Sequence, residues 1–284
     1  MSELSKSTAD VPLPRQSFFN TQNWIRSIYQ SEAFWPGLVV LIGLIASFWP
    51  LFKYLPFLWA SEDGYYSHGY LVPFLSGYIL YNQRHKFADT PIQAGWLALI
   101  PFTFSLLILR AGVIAEIQLV ISFSFILALL SITWFLFGFR WLFLASPAIL
   151  YLLFALPVWT AAIDIYTNPL QVMSTKVAYF LLEVFRLQPL QGDSTTIYLS
   201  NFTLDVGIPC SGLKLVLAIS AFTVFFILIS KLRWWGKLIL LAITIPLGVF
   251  INGLRVSLIG VVGNLYGREA GLAFHDYSGY ITLL

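Results

Sequence analysis

The sequence predicts an all-α polytopic membrane protein, a bundle of about seven to eight transmembrane helices with a small outer-face amphipathic helix and β-hairpin. Three observations lead there. Of 284 residues, 58% are hydrophobic and only 10% charged, whereas a soluble domain carries roughly 25% charged residues. The mean hydropathy is +0.81. Aromatic residues make up 17% of the chain, including 10 Trp, as expected where aromatic belts mark both membrane interfaces.

Each element follows in order. Residues 1–33 are polar, with Lys6, Arg15 and Arg26, and lack an apolar core followed by a small-residue cleavage site. They read as a cytoplasmic tail with no removable signal peptide. Residues 34–284 read as one transmembrane domain, since a span needs about 20 apolar residues. The spans expected are Phe34 to Phe52; the stretch from Tyr70 to Tyr81; Trp96 to Leu109; Val113 to Phe137; Trp141 to Trp159, kinked at Pro147 and Pro157; Ser211 to Ile229; and Leu238 to Val262. A tight turn is expected at Arg110-Ala-Gly112. After Ser278 the apolar stub is too short to span, so an eighth helix is expected to be missing or cut short.

The insertion 161–209 is too long for a turn. Over Pro169 to Phe185, apolar residues recur at helical spacing (Leu170, Met173, Val177, Phe180, Leu181, Val184). That pattern predicts an amphipathic helix lying on the membrane or against the bundle. From Thr195 to Val206, Ile197, Leu199, Phe202 and Leu204 flank Ser200-Asn201, which predicts a hairpin.

Charge sets the orientation. One side holds Arg84 and Lys86, Arg140, and Lys231, Arg233 and Lys237 together with the tail bases; the other is rich in acids such as Glu62, Asp63, Glu116, Asp164, Asp193, Asp205 and Asp276. Basic loops stay inside, so the N-terminus is cytoplasmic. The net charge of +3 is spread for topology and forms no basic patch, which argues against nucleic acid as a partner.

The lone cysteine, Cys210, lies at the outer mouth of the sixth span, in Pro-Cys-Ser-Gly-Leu-Lys. It cannot form a disulfide within the chain. It is inert filler, a redox handle or a nucleophile. Arg255 is about 17 residues into the returning seventh span, roughly 25 Å along it, which is the same outer depth, and intramembrane arginines are usually functional. His275 follows on the outer side. A thiol's ordinary pKa is about 8.5. A helix N-terminus at Cys210, a paired histidine and Lys214 one turn below are each expected to lower it, although Lys214 also reads as a snorkelling side chain. Backbone amides at Ser211 and Gly212 are expected to hold an oxyanion. Arg255 would grip an oxyanion or a carboxylate. A second outer cluster, Ser67-His68-Gly69 before the second span, makes His68 the competing base, with a helix cap from Ser67 as its plainer reading. Three separated histidines give no metal-ligand spacing, and no cofactor is expected.

Taken in order, Tyr-Ser-His-Gly-x-Leu-Val-Pro ahead of the second span, Leu170-Gln171, Cys210-Ser-Gly-Leu-Lys214, Asn252-x-x-Arg255-Val256 and His275-x-x-x-Gly279 resemble the exosortase/archaeosortase family. The resemblance covers the chain from the second span to its end. It implies a Cys–Arg–His cysteine peptidase or transpeptidase, with Cys210, Arg255 and His275 in those positions and Ser211, Gly212, Lys214, His68 and Asn252 in support. It further implies membrane-anchored protein substrates carrying C-terminal sorting signals: a short motif (Pro-Glu-Pro in the commonest class, the PEP-CTERM type), a transmembrane helix and a basic tail. Cleavage would pass through a thioacyl intermediate to a surface lipid or glycan acceptor, or to water. The bacterial inner membrane, a periplasm-facing site and a link to exopolysaccharide production are implied as well. The alternatives are an outer-face acyltransferase using the same groups, and a non-catalytic polysaccharide-export or assembly protein. A transporter-like channel fits poorly, because spans three to five are nearly charge-free at their centres and no repeat is visible.

Overall fold

The computed structural model describes residues 34–61 and 64–281. The expected tail over 1–33, the acids Glu62 and Asp63, and the last residues of the apolar stub lie outside them. The chain divides after Ser47 into two units. Of the first, helix α1 (Phe34–Ser47) is described, an uncharged apolar helix. All that follows belongs to the second.

α2 (Trp49–Ala60) starts with a proline in its first turn, where the missing N–H costs nothing. A 3₁₀ turn (Ser67–Tyr70) leads into α3 (Val72–Asn82). Trp59 from α2 packs so tightly over Gly69 that a Cβ there would strike its indole. After the short α4 (Arg84–Ala88), α5 (Leu99–Ile114) and α6 (Gln118–Phe137) form a hairpin. The tight turn expected at residues 110–112 falls later, around Glu116, whose φ is +57°. Gly112 instead sits inside α5, where a Cβ would approach Ile121 to 3.0 Å. The glycine serves helix contact there and does not end the helix.

α7 (Phe139–Tyr151) and the 3₁₀ turn Leu152–Ala155 carry the expected fifth span, and the chain then breaks by 61° into α8 (Thr160–Val184). The amphipathic helix predicted from Pro169 therefore begins nine residues earlier, with Pro169 inside it. It packs against the long α10 (Trp234–Tyr266). Small residues make that approach possible, as in membrane helix pairs generally: Gly253 faces Val177, and Gly260 faces Leu182 and Leu204. The expected hairpin has a third strand. β1 (Leu190–Gln191), β2 (Thr196–Tyr198) and β3 (Thr203–Asp205) form an antiparallel sheet in that order, with Ile197 opposite Leu204. Its inward residues Ile197, Leu199, Leu204 and Val206 join Ala178, Leu182 and Val256 in one core, with Cys210 at its margin. The two remaining helices are α9 (Leu213–Ile229) and α11 (Arg268–Ile281).

The fold is thus mostly helical with a small sheet. Among the described residues, three stretches are long and apolar enough to cross a membrane: Trp96–Ile114, Gln118–Phe137 and Trp234–Tyr266. The number rises to five if the broken pairs Gly37–Ser47 with Trp49–Ala60 and Phe139–Ala155 with Thr160–Val184 each count as one span. This is fewer than the seven to eight expected. α3 has 11 residues and α9 has 17, and at 1.5 Å per residue both fall short of a hydrocarbon layer of about 30 Å. Apolar runs in the sequence continue through turns that interrupt the helix, so hydropathy overstates helix length.

Candidate functional site

The site is built where the sheet hands the chain back to the bundle. A 3₁₀ turn, Ile208–Cys210, is closed by the Cys210 amide donating to the Gly207 carbonyl at 2.9 Å and the Ser211 amide donating to Ile208 at 3.0 Å. The expected oxyanion role for the Ser211 amide is therefore not met in this state, because the turn itself uses that donor. Gly212 follows at φ +79°, a left-handed conformation that favours glycine. A Cβ at Gly212 would come within 2.7 Å of the Asn252 side chain. Conformation and space thus demand the same residue. The first amide of α9, from Leu213, donates to Ser211 Oγ at 3.4 Å.

Polar contacts from neighbouring helices hold this turn. Asn252 of α10 is fully buried and its Nδ2 donates to the Cys210 carbonyl at 2.7 Å. Ser174 of α8 donates to the Ser211 carbonyl at 3.3 Å, and Gln171 donates to the Val206 carbonyl. Buried carbonyls left without donors would cost about 1–3 kcal/mol each, so these side chains set the position of Cys210.

Cys210 Sγ lies 2.8 Å from His275 Nε2 on α11. On the far side of the ring, Nδ1 is 3.2 Å from Asp276 Oδ1. Arg255 reaches from α10 to α11: its Nε donates to Ser278 Oγ at 3.0 Å and its Nη2 to the His275 carbonyl at 3.2 Å. In this state Arg255 clamps the helix that carries the histidine, a role the sequence reading did not include. It also favours the thiolate. The net effect on Cys210 runs opposite to the expected lowering. Burial pushes the thiol pKa up, Arg255 only partly offsets this, and Asp205 adds to the rise. The thiol is 7% exposed, so desolvation of the charged form outweighs one half-buried guanidinium.

The competing base is elsewhere. His68 is buried in its 3₁₀ turn, stacked on Tyr66 at 6.5 Å between ring centroids. Burial pushes its pKa down, partly offset by a hydrogen bond to the Phe154 backbone, and it does not line the cleft at Cys210. Tyr66 itself accepts a hydrogen bond from the Trp159 amide at 3.1 Å, tying this turn to the start of α8. Lys214, in the first turn of α9, is half-buried.

Cys210 and His275 open onto a cleft of about 450 Å³. The cleft is lined by residues 201–206, which include β3, by Val256 and Ile259 of α10, and by Arg268 and Leu272 of α11. Asp276, Ser278, Gln171 and Ser174 are the contributors that the sequence reading left out of the site. Asp276 carried a signal, being adjacent to His275. Gln171 carried one too, as part of the Leu170-Gln171 motif, although nothing in it pointed to the Cys210 turn. Ser174 and Ser278 carried none, because a single hydroxyl side chain on a helix has no distinguishing spacing.

A helical membrane protein with a buried thiol held against a half-buried imidazole beside an open cleft defines a class of candidate membrane thiol enzymes. The transmembrane exosortase family profile matches residues 59–284, and the chain belongs to that family. No curated protein and no solved structure matches it.

Proposed function

We propose that this protein is a membrane cysteine transpeptidase that cuts C-terminal sorting signals of exported proteins at the outer face of the bacterial inner membrane. The observation that carries the reading is the 2.8 Å contact between Cys210 Sγ and His275 Nε2, made by residues 65 positions apart and opening on a cleft. Family membership supports the transpeptidase class.

The chemistry follows from the groups present. At neutral pH a thiol with a raised pKa is protonated, so it requires a base at the moment of attack. His275 Nε2 takes the thiol proton as Sγ bonds to the scissile carbonyl carbon. The Asp276 carboxylate holds the proton on Nδ1 and stabilises the imidazolium. When the tetrahedral adduct collapses, the C–N bond breaks and His275 returns the proton to the leaving amine, which leaves a thioester on Cys210. An acceptor amine or hydroxyl on a surface lipid or glycan, or water, then attacks the thioester, giving its proton to His275, and the thiol is restored. Arg255 favours the thiolate by proximity and holds α11 through its hydrogen bonds to Ser278 and the His275 carbonyl. Basic loops at Arg84, Arg140 and Lys231 support a cytoplasmic N-terminus and a site facing the periplasm.

The test is co-expression with a secreted reporter carrying a Pro-Glu-Pro sorting signal. Wild type is expected to remove the tail, and Cys210→Ala and Cys210→Ser to leave it intact. A reporter processed equally by Cys210→Ala would remove the thiol from the mechanism.

A further inference from the structure

We propose that the Cys210 cleft takes its substrate as an added β-strand along β3. The inference rests on the proposed function and specifies how the peptide is held. Among the described residues β3 is an edge strand, since the sheet order is β1-β2-β3. Its hydrogen bonds to β2 are phased by Leu199 N–H to Phe202 C=O at 2.9 Å and Val206 N–H to Thr195 C=O at 3.0 Å. In an antiparallel ladder the bonded pairs alternate. Phe202, Leu204 and Val206 therefore turn their backbone groups toward β2, while Thr203 and Asp205 turn theirs away. The Asp205 carbonyl accepts the Gly207 N–H at 3.1 Å. What remains on the edge is both backbone groups of Thr203 and the N–H of Asp205.

That edge faces the reaction centre. All of residues 201–206 line the same cleft as Cys210 and His275. Three residues of strand extend about 10 Å and a paired strand lies about 4.8 Å away, so a peptide laid along β3 is guided toward the 3₁₀ turn holding the thiol. Leu204 is buried beneath the sheet, whereas the side chains of Thr203 and Asp205 are exposed, and nothing apolar competes for the edge. An exposed edge is a template for pairing. Pairing through the backbone gives affinity without strict side-chain demands. The cleft offers one charge of each sign, on Asp205 and Arg268, so its specificity comes from a few side-chain contacts around that backbone frame. A single extended peptide fits a cleft of this size; a folded domain does not.

Full-length Cys210→Ala protein in detergent micelles, which cannot turn the substrate over, gives the test. The probe is a fluorescent synthetic peptide with a Pro-Glu-Pro motif and its following apolar helix. At saturation, amide exchange at Thr203 and Asp205 is expected to slow about tenfold, with Leu204 unchanged. Thr203→Pro, which deletes an edge donor that such strands tolerate losing, is expected to weaken peptide binding about tenfold, and Thr203→Ala to leave it unchanged. Three results would overturn the proposal: peptide bound without protection at Thr203 and Asp205, no binding at all, or protection that arises with protein concentration alone, which would place a second copy's β3 on this edge. Reporter cleavage by wild type is followed in parallel. Cleavage without edge protection leaves the transpeptidase standing and removes the strand. Edge protection without cleavage does the reverse.

Discussion

At the scale of single residues, the balance at Cys210 sets what the site must do. Burial wins over Arg255, and the thiol titrates above its ordinary range. The sign is direct: a raised pKa means less thiolate at neutral pH, and more as pH climbs. Alkylation of Cys210 by iodoacetamide is therefore expected to be slower than that of a free cysteine at neutral pH and to rise later on the alkaline side than that of a free cysteine. Arg255→Gln removes the offsetting charge, so its profile is expected to move further to alkaline pH; a shift to acid would contradict the assignment of Arg255. His275→Ala is expected to lower reporter processing about a thousandfold or more, because the nucleophile and its base act as a unit. Asp276 is exposed and, among the described residues, its carboxylate contacts the outer ring nitrogen of His275. Asp276→Asn is expected to reduce kcat about three- to tenfold with KM unchanged, and Asp276→Glu to restore most of it; an equal loss in both variants would make Asp276 merely structural. Of these residues Cys210, Arg255 and His275 were legible in the sequence, since a thiol, an intramembrane cation and an imidazole stand out against an apolar background. Which histidine meets the thiol was not legible, because His68 and His275 have the same outer depth.

At the scale of elements, the turn from β3 into α9 governs where the thiol lies. Gly212 is the sharpest point. Its left-handed backbone costs a non-glycine residue about 1–2 kcal/mol, and Asn252 leaves no room for a Cβ. Gly212→Ala is expected to lower the melting temperature by several degrees, at about 2–4 °C per kcal/mol, and to depress processing through displacement of the turn. Retention of wild-type melting and activity would show that α10 can retreat. The α8–α10 pair illustrates the limit of periodicity. Apolar spacing from Leu170 onward identified a helix and a buried face, yet its start at Thr160 was missed, because Pro169 reads as a helix beginning when only sequence is considered. The helix carries Pro169 internally, with tertiary packing along α10 holding both sides.

At the scale of the whole molecule, the distribution of charge makes a topological claim that chemistry can check. In a Cys210→Ala background, a membrane-impermeant maleimide added to intact spheroplasts is expected to label Asn201→Cys, beside the cleft, but to reach Lys231→Cys only after permeabilisation. The reverse pattern would place the cleft in the cytoplasm and end the case for cutting exported proteins. The same scale explains the span count. Composition registers total apolar length, which is large. Division into helices depends on breaks such as the 61° bend before α8 and the 3₁₀ turn at Leu152–Ala155, and that turn is nearly as apolar as the helix it ends.

The sequence alone determined the helical membrane class, the polarity of its loops, the sheet-forming segment near Ile197 and Leu204, and the ordered motifs that identify the family. Each depends on transfer free energy or local pattern, which are properties of composition and short-range spacing. The tertiary structure decided the choice of His275 over His68, the clamp of Arg255 on α11, the support of Cys210 by Asn252 and the direction of the thiol's pKa. Those depend on which surfaces meet and how much water they exclude. Contacts between residues 42 to 65 positions apart, such as Asn252 with Cys210 and Cys210 with His275, exist only once the helices have packed.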